Sequence, residues 1–166
     1  MRQISEPRNR SEAEIAGYRD VLKTIHEHYE HMNLSPNLIL QLHRDLMKFT
    51  GRGGQWKRAD NTVEEMLPTG ERRTRFVPVP AWRTPEAVEQ LCRAFLQARD
   101  RGQGIDLILI GYFVLDFLSI HPFSDGNGRM ARLLTLLLRA QRSNTTTRCT
   151  GPPRAGTKPG TIRHLG

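Results

Sequence analysis

Apolar residues recur every three or four positions along most of the chain, which is the spacing of one face of an α-helix. The first such stretch begins with a capping box at Ser11 and Glu14, and the second begins with the helix-start pair Ser35 and Pro36. The predicted helices cover residues 11–32, 36–50, 84–101, 105–120 and 128–140. The pattern therefore predicts an all-α domain.

The fourth predicted helix, residues 105–120, is apolar on nearly every face, so we expect it at the centre of a helical bundle. It is too short, and too charged at Asp106 and Asp116, for a membrane span. We expect no membrane association.

The helical spacing disappears between residues 51 and 80. Thr62 and Val63 lie on one side of a Pro-Thr-Gly turn, and residues 73–77 lie on the other, which predicts a short polar β-hairpin within residues 57–80. We expect Trp56 and Trp82, which flank this segment, to pack at its two ends.

The net charge of the chain is +8 over 166 residues, a length that suits one domain. Five of these excess positive charges belong to residues 141–166, which contain no acid and few apolar residues. We expect a disordered basic tail at 141–166, a disordered N-terminus at 1–10 and a folded domain at 11–140. With the excess charge in a tail, nucleic acid is not the expected partner.

The two cysteines, Cys92 and Cys149, are in no disulfide or metal-ligand spacing, and we interpret them as free thiols of a cytoplasmic protein. His26, His28 and His31 resemble a metal site in composition only. Their spacing does not place all three on one helical face, so we expect no metal there.

The segment HPFSDGNGRMAR, residues 121–132, carries the candidate chemistry. It leads into a helix N-terminus, where unpaired N–H groups and the helix dipole attract anions. Gly126 and Gly128 permit close approach of phosphate oxygens, and Arg129 and Arg132 share one face of the first turn.

Two further side chains complete this candidate site. Asp125 is an acid beside the phosphate cradle, suited to holding Mg²⁺ on phosphate oxygens. His121 is placed to take a proton from an attacking hydroxyl near neutral pH. Together these groups indicate phosphate-ester chemistry on a nucleotide.

The segment resembles the signature of the Fic family, HxFx[D/E]GNGRxxR. Every specified position matches: His121, Phe123, Asp125, Gly126, Asn127, Gly128, Arg129 and Arg132. The resemblance extends over residues 11–140. It implies a Fic-type helical bundle with a small β-hairpin flap and with the motif loop between two central helices.

The activity that the resemblance implies is that of a protein adenylyltransferase, which transfers AMP from ATP to a Tyr, Thr or Ser hydroxyl of a target protein and releases pyrophosphate. His121 would be the general base, Asp125 the Mg²⁺ ligand and Phe123 the anchor of the loop. The implied phosphate-binding residues are Gly126, Asn127, Gly128, Arg129 and Arg132. The implied target-aligning residues of the flap are Thr62, Val63, Phe76 and Val77.

Other reactions remain open at this point. Toxins of the Doc type in the same superfamily carry Ala and Lys in place of the two glycines and act as kinases, so Gly126 and Gly128 favour AMP transfer. The alternatives are removal of AMP, transfer of another nucleotide or phosphate group, and a non-enzymatic binding module with a vestigial site.

Family members usually restrain themselves with a glutamate in an [S/T]xxxE[G/N] helix. No glutamate of this chain has Ser or Thr four residues before it. We therefore expect an inhibitory helix or an antitoxin-like partner supplied in trans. The leucine-rich fifth helix is the candidate surface for a homo-oligomer.

Overall fold

The computed structural model describes residues 9–102 and 106–148, with side chains of the last helix as far as Arg142. The helices are α1 (Arg10–His28), α2 (Pro36–Leu46), α3 (Thr84–Asp100), α4 (Asp106–Ile120) and α5 (Asn127–Arg148). The strands β1 (Val63–Met66) and β2 (Arg72–Phe76) form one antiparallel sheet, and 3₁₀ turns follow α1 and precede α3. The predicted helical fold with a small hairpin is confirmed.

Helix α5 forms the centre of the bundle. Met130, Leu133, Leu134 and Leu137 have no exposed surface, and α1 and α4 both pack on this helix. Helix α2 packs against α1, and helix α3 packs against α4, so these helices form the outer layer of the bundle. The motif loop therefore enters the most deeply buried helix, which anchors the loop at its C-terminal end.

The fourth helix is less buried than its apolar composition predicts. Leu107, Ile108, Tyr112 and Leu115 are each more than half exposed, because α3 and α5 cover α4 on one side only. Four of the five leucines of α5 are buried and Leu136 is partly buried, so the described side chains of that helix do not form the exposed leucine surface expected for a homo-oligomer. Homo-oligomer formation itself stays a prediction.

Helix α1 begins one residue earlier than predicted, and its most buried side is rotated relative to the predicted apolar face. Its N-cap is Asn9, whose side chain accepts from the Glu12 N–H, and not Ser11. The buried positions are Ala13, Gly17, Val21 and Ile25. A Cβ atom at Gly17 would lie 2.1 Å from the Leu46 carbonyl oxygen. Because α1 and α2 cross so closely, only the side of α1 that carries Gly17 can face α2.

Helix α5 continues to Arg148, past the predicted boundary at 140, so the backbone of residues 141–148 is helical where we expected disorder. Tertiary contacts explain the difference: Gln141 Nε2 donates to the carbonyls of Tyr29 and Met32, and Arg142 forms a 2.7 Å ion pair with Asp106. Residues 1–8 and 149–166 lie outside the described residues, and their predicted disorder stays a prediction.

The hairpin pairs Val63 with Phe76 at the end nearest the bundle, with an irregular register between Val63 and Glu64. Both side chains are half-buried, whereas Thr62 and Val77 flank the strands and are exposed. Trp82 is 79% exposed, so its expected packing role was wrong.

Two smaller expectations concern cysteine and membranes. Cys92 is free and buried, and burial raises the pKa of its thiol to about 11, which keeps it protonated and unreactive at neutral pH. Cys149 lies outside the described residues. Over residues 9–102 and 106–148, no helix is long and apolar enough to cross a membrane.

Candidate active site

His121 follows the last residue of α4 and takes a left-handed backbone conformation, with φ of +51°. Its N–H still donates to the Phe117 carbonyl at 3.0 Å, so the chain leaves the helix at this residue. Left-handed conformations are uncommon for residues with a side chain and persist where the surrounding structure holds them. The candidate base is thus placed by a strained turn.

The surroundings of the imidazole leave one ring nitrogen available as a base. Nδ1 lies 3.4 Å from the Leu118 carbonyl, to which it donates, so Nε2 carries the lone pair. Burial lowers the pKa of His121, the Leu118 hydrogen bond raises it, and the charge of Lys57 lowers it. The net lowering keeps the imidazole neutral at pH 7. The ring of Phe76 meets it edge-on, with centroids 6.4 Å apart.

The loop after His121 is closed by Phe123 and Asn127. Phe123 is fully buried, which confirms its predicted anchoring role. The Phe123 N–H donates to Asn127 Oδ1 at 2.9 Å, and Asn127 Nδ2 donates to the Phe123 carbonyl at 2.7 Å. The buried Asn127 side chain is therefore occupied in closing the loop, and the backbone N–H is the group of Asn127 that remains for a phosphate.

The N-terminus of α5 presents an open cradle. The first intrahelical bond runs from the Met130 N–H to the Gly126 carbonyl, which leaves the N–H groups of residues 127–129 without a helical partner. Gly126 has φ of +84°, a conformation that favours glycine, and a Cβ atom at Gly128 would meet nothing within 4 Å. Unpaired N–H groups beside open space form an anion site.

Asp125 lies at the edge of this cradle and is about half exposed. Its Oδ1 accepts from the Gly126 N–H at 2.6 Å, and both carboxylate oxygens lie 3.2 Å from Arg129 Nη2. Arg10 of α1 approaches Oδ2 at 3.4 Å. A single accessible carboxylate fits Mg²⁺, which commonly binds one or two carboxylates together with substrate phosphates.

The two arginines of the motif differ in environment. Arg129 is 15% exposed, and its Nη1 lies 3.4 Å from Glu14 Oε2. That Nη1 atom is buried without a hydrogen bond, since the approach of Glu14 is an ion pair without hydrogen-bond geometry. Arg132 is exposed and makes no ion pair within the described residues. Both arginines thus keep donors for an anion.

Two residues outside the motif hold the loop, and sequence reasoning missed both. His43 of α2 is buried, accepts from the Gly54 N–H at Nδ1 and donates from Nε2 to the Asp125 carbonyl. Lys57 is buried and donates to the Ile120 carbonyl. Their local sequence has no distinguishing signal, because the contacts join segments more than sixty residues apart.

Glu14 and Arg10 were also missed as neighbours of the site. The sequence places Glu14 in a capping box, and Glu14 does not match the inhibitory pattern because Arg10 stands four residues before it. Glu14 contacts Arg129, the first arginine of the motif. The first helix therefore contributes charge to the loop.

A cavity of about 280 Å³ opens beside Asp125. Its walls come from α2, the segment that follows α2 and the motif loop. They include His43, Met47, Arg52, Trp56, Arg58 and Ser124. Trp56 packs against Phe123 with ring centroids 5.3 Å apart, so its predicted packing role is confirmed and one side of it also lines the cavity.

The three histidines of α1 and the following turn lie at the surface. His26, His28 and His31 are all exposed. In the part of the chain that the structure describes, no three His, Cys, Asp or Glu residues are grouped to hold a metal ion.

Comparison with solved structures gives the same fold. A Fic domain containing signaling protein from Bacteroides thetaiotaomicron matches with a TM-score of 0.68 and 25% identity, over 79% of this chain and 48% of that one. A Fic family protein from Desulfovibrio desulfuricans matches with a TM-score of 0.64 and 21% identity, over 82% and 38%. Fic-1 from C. elegans matches with a TM-score of 0.59 and 20% identity, over 84% and 39%.

This chain therefore spans less than half the length of these structures. No curated protein matches it. The sequence pattern of the Fic/DOC family matches residues 33–138, which include α2, α3, α4, the hairpin, the whole motif loop and the first part of α5. The chain therefore belongs to the Fic/DOC family.

Proposed function

We propose that this chain transfers AMP from ATP to a Tyr, Thr or Ser hydroxyl of a target protein. The observation that carries the proposal is that His121, whose Nδ1 faces the Leu118 carbonyl, lies on the same short loop as the open N-terminus of α5. The loop thus combines a proton acceptor with an anion cradle, which are the two parts that phosphoryl chemistry at a hydroxyl requires.

The reaction transfers one proton and exchanges one bond. The hydroxyl oxygen of the target attacks the α-phosphorus of ATP while its proton passes to Nε2 of His121. The bond between the α-phosphorus and the oxygen that bridges to the β-phosphate breaks, and pyrophosphate leaves. A neutral histidine is required at the start, in agreement with the burial that lowers its pKa.

The phosphates are bound by the start of α5. The N–H groups of residues 127–129 lack helical partners beside the open space at Gly128. The exposed Arg132, and Arg129 once it moves away from Glu14, would provide the positive charge. Asp125 would hold Mg²⁺, which would neutralise charge on the phosphate oxygens. Arg10 and Arg129 then have to release part of their contact with the Asp125 carboxylate.

The target would pair with the hairpin. A two-stranded sheet has a free edge on each strand, and an extended target segment can add a strand there. The Val63 and Phe76 end of the hairpin is the end that lies beside His121, with Thr62 and Val77 next to it. Strand addition at this end would bring a target hydroxyl towards the base.

The position of the label in ATP separates AMP transfer from phosphate transfer. The protein is incubated with Mg²⁺, cell lysate and ATP labelled on either the α- or the γ-phosphate, and protein-bound label is measured. Labelling of lysate without the protein is subtracted, because kinases of the lysate also use γ-labelled ATP. AMP transfer predicts additional label from α-labelled ATP and none from γ-labelled ATP, whereas additional label from γ-labelled ATP only would replace the proposal with a kinase reaction.

His121→Ala is the decisive variant. Loss of a general base reduces the rate by roughly 10²- to 10⁴-fold, while a matched variant of an exposed histidine on α1, His26→Ala, should retain full labelling. Equal labelling by wild type and His121→Ala would contradict the proposed role of His121. Absence of label in all samples, with ATP bound, would favour a binding module.

A further inference from the structure

Lys57 is a buried cation beside the candidate base. It lies in the segment between α2 and β1 and is 4% exposed. Its Nζ donates to the Ile120 carbonyl at 3.1 Å and to Asn61 Oδ1 at 2.8 Å. Within the described residues it forms no ion pair. Burial lowers the pKa of Lys57, because a buried ammonium is costly, and the nearby carboxylate of Asp60 opposes this by raising it.

The same short segment binds the backbone on both sides of His121. The Lys57 N–H donates to the Pro122 carbonyl at 2.9 Å, and Asn61 Nδ2 donates to the Phe123 carbonyl at 3.3 Å. With the bond from Lys57 Nζ, the carbonyls of residues 120, 122 and 123 are all held from residues 57–61. His121 lies between the first two of these anchors.

We propose that Lys57 is a positioning residue that holds His121 in its left-handed, catalytically useful conformation and keeps a positive charge beside it. The proposal rests on the proposed function only in taking His121 as the base. Ile120 ends α4, where carbonyls lack an intrahelical partner and the helix dipole favours a cation. An ammonium on this carbonyl stabilises the helix end from which the strained His121 departs.

Lys57 acts on His121 through its positive charge as well as through its hydrogen bond to the Ile120 carbonyl. Lys57 is the charged side chain that acts on the pKa of His121, and it lowers that pKa by disfavouring the imidazolium. The motif carboxylate of Asp125 is paired with Arg129 and Arg10 instead. The hairpin contributes the Phe76 ring and α4 contributes the Leu118 carbonyl.

Titration of the His121 ring by NMR tests the proposal without any need for transfer activity. The variants are Lys57→Met, which removes both the charge and the donor, Lys57→Gln, which keeps an N–H donor, and Lys57→Arg, which keeps the charge. Lys23→Met on α1, where the lysine is 73% exposed and pairs with Glu27, is the matched control. The His121 signal is assigned from its absence in His121→Ala.

We expect the pKa of His121 to rise in Lys57→Met and in Lys57→Gln, and to stay at the wild-type value in Lys57→Arg and in Lys23→Met. If Lys57→Met does not fold, as judged by circular dichroism, Lys57→Gln and Lys57→Arg supply the comparison. An equal pKa of His121 in folded wild type and in a folded variant that lacks the charge of Lys57 would overturn the proposal.

A kinetic comparison separates positioning from simple loss of structure. If AMP is transferred, Lys57→Met should lower kcat about tenfold or more, with KM for ATP unchanged, and Lys57→Arg should restore most of the activity. A rise in KM with kcat unchanged would contradict positioning of the base. If no AMP is transferred by wild type, the proposed function fails while the NMR titration still decides the role of Lys57.

Discussion

The imidazole of His43 lies parallel to the ring of Phe123, with centroids 3.6 Å apart and an angle of 10° between the planes. The same imidazole bridges the Gly54 N–H and the Asp125 carbonyl, at 3.0 and 3.1 Å. The His43 side chain of α2 thus stabilises the motif loop in two ways, since its ring face stacks on Phe123 and its Nε2 binds the backbone of Asp125.

Replacement of His43 by Phe should keep the stacking and remove both hydrogen bonds. The Gly54 N–H and the Asp125 carbonyl then lose their partner, which costs about 1–3 kcal/mol for each buried group. Urea denaturation should show this loss, and His28→Phe, at an exposed position, should show little change. A stability equal to wild type would mean that water replaces both bonds.

Stability should fall as the pH decreases below the ordinary histidine value of 6.5. Burial lowers the pKa of both His43 and His121, so the unfolded chain takes up protons before the folded chain does. The free energy of unfolding therefore decreases below pH 6.5 and levels off once the folded histidines are protonated. Denaturation curves measured across this pH range should show that the free energy of unfolding depends less on pH in His43→Phe than in wild type.

The two glycines of the motif should respond differently to alanine. Gly126→Ala places a side chain on a backbone with φ of +84° and should cost about 1–2 kcal/mol. Gly128→Ala meets no neighbour within 4 Å and should keep or raise stability by up to about 1 kcal/mol, because alanine favours helix.

The added methyl group at position 128 should nevertheless weaken ATP binding, because a Cβ atom in a helix tilts towards the helix N-terminus, where the cradle lies. Thermal denaturation and calorimetric titration with Mg-ATP measure the two effects on the same sample. Wild-type affinity in a stable Gly128→Ala protein would place the phosphates elsewhere.

Gly17 and Gly111 form a second matched pair, distant from the chemistry. A Cβ atom at Gly17 would lie 2.1 Å from the Leu46 carbonyl oxygen, so Gly17→Ala should cost at least about 1–3 kcal/mol through forced separation of α1 and α2. Gly111 on the exposed side of α4 meets nothing within 4 Å, and Gly111→Ala should stabilise the protein by about 0.5–1 kcal/mol. Opposite shifts in Tm are expected.

Glu14→Gln should increase the affinity for Mg-ATP. Glu14 lies 3.4 Å from Arg129 and competes with phosphate for the same guanidinium. A partly exposed ion pair contributes up to about 1 kcal/mol, so the gain should not exceed about fivefold. Glu27→Gln, which removes a carboxylate from the distant pair with Lys23, is the control. A weaker affinity in Glu14→Gln would show that Glu14 orients Arg129 for the nucleotide.

The helices, the hairpin and the motif were predictable because each depends on residues that are close together in the sequence. Ser35 and Pro36 mark the start of α2, and the residues of the motif lie within twelve positions. What could not be predicted depends on contacts between distant segments. The buried face of α1 is set by the Leu46 carbonyl, and the length of α5 depends on Gln141 and on the pair of Arg142 with Asp106.

The supports of the site belong to this second group. Lys57 stands in a polar, glycine-rich segment where a lysine is expected at the surface, and its burial follows only from its bond to Ile120. The apolar composition of α4 also did not show which of its residues are buried. The sequence does not distinguish a buried apolar residue from an exposed one, and only the positions of α3 and α5 determine which side of α4 is covered.

Arg10 and Glu14 precede residue 33, where the match to the family pattern begins, yet both reach the motif loop. Evolution can therefore retune the electrostatic potential at the nucleotide through the first helix while every letter of the motif stays the same. Relatives with an identical loop need not share one affinity, and divergence of this helix offers a route to new activity levels without loss of the chemistry.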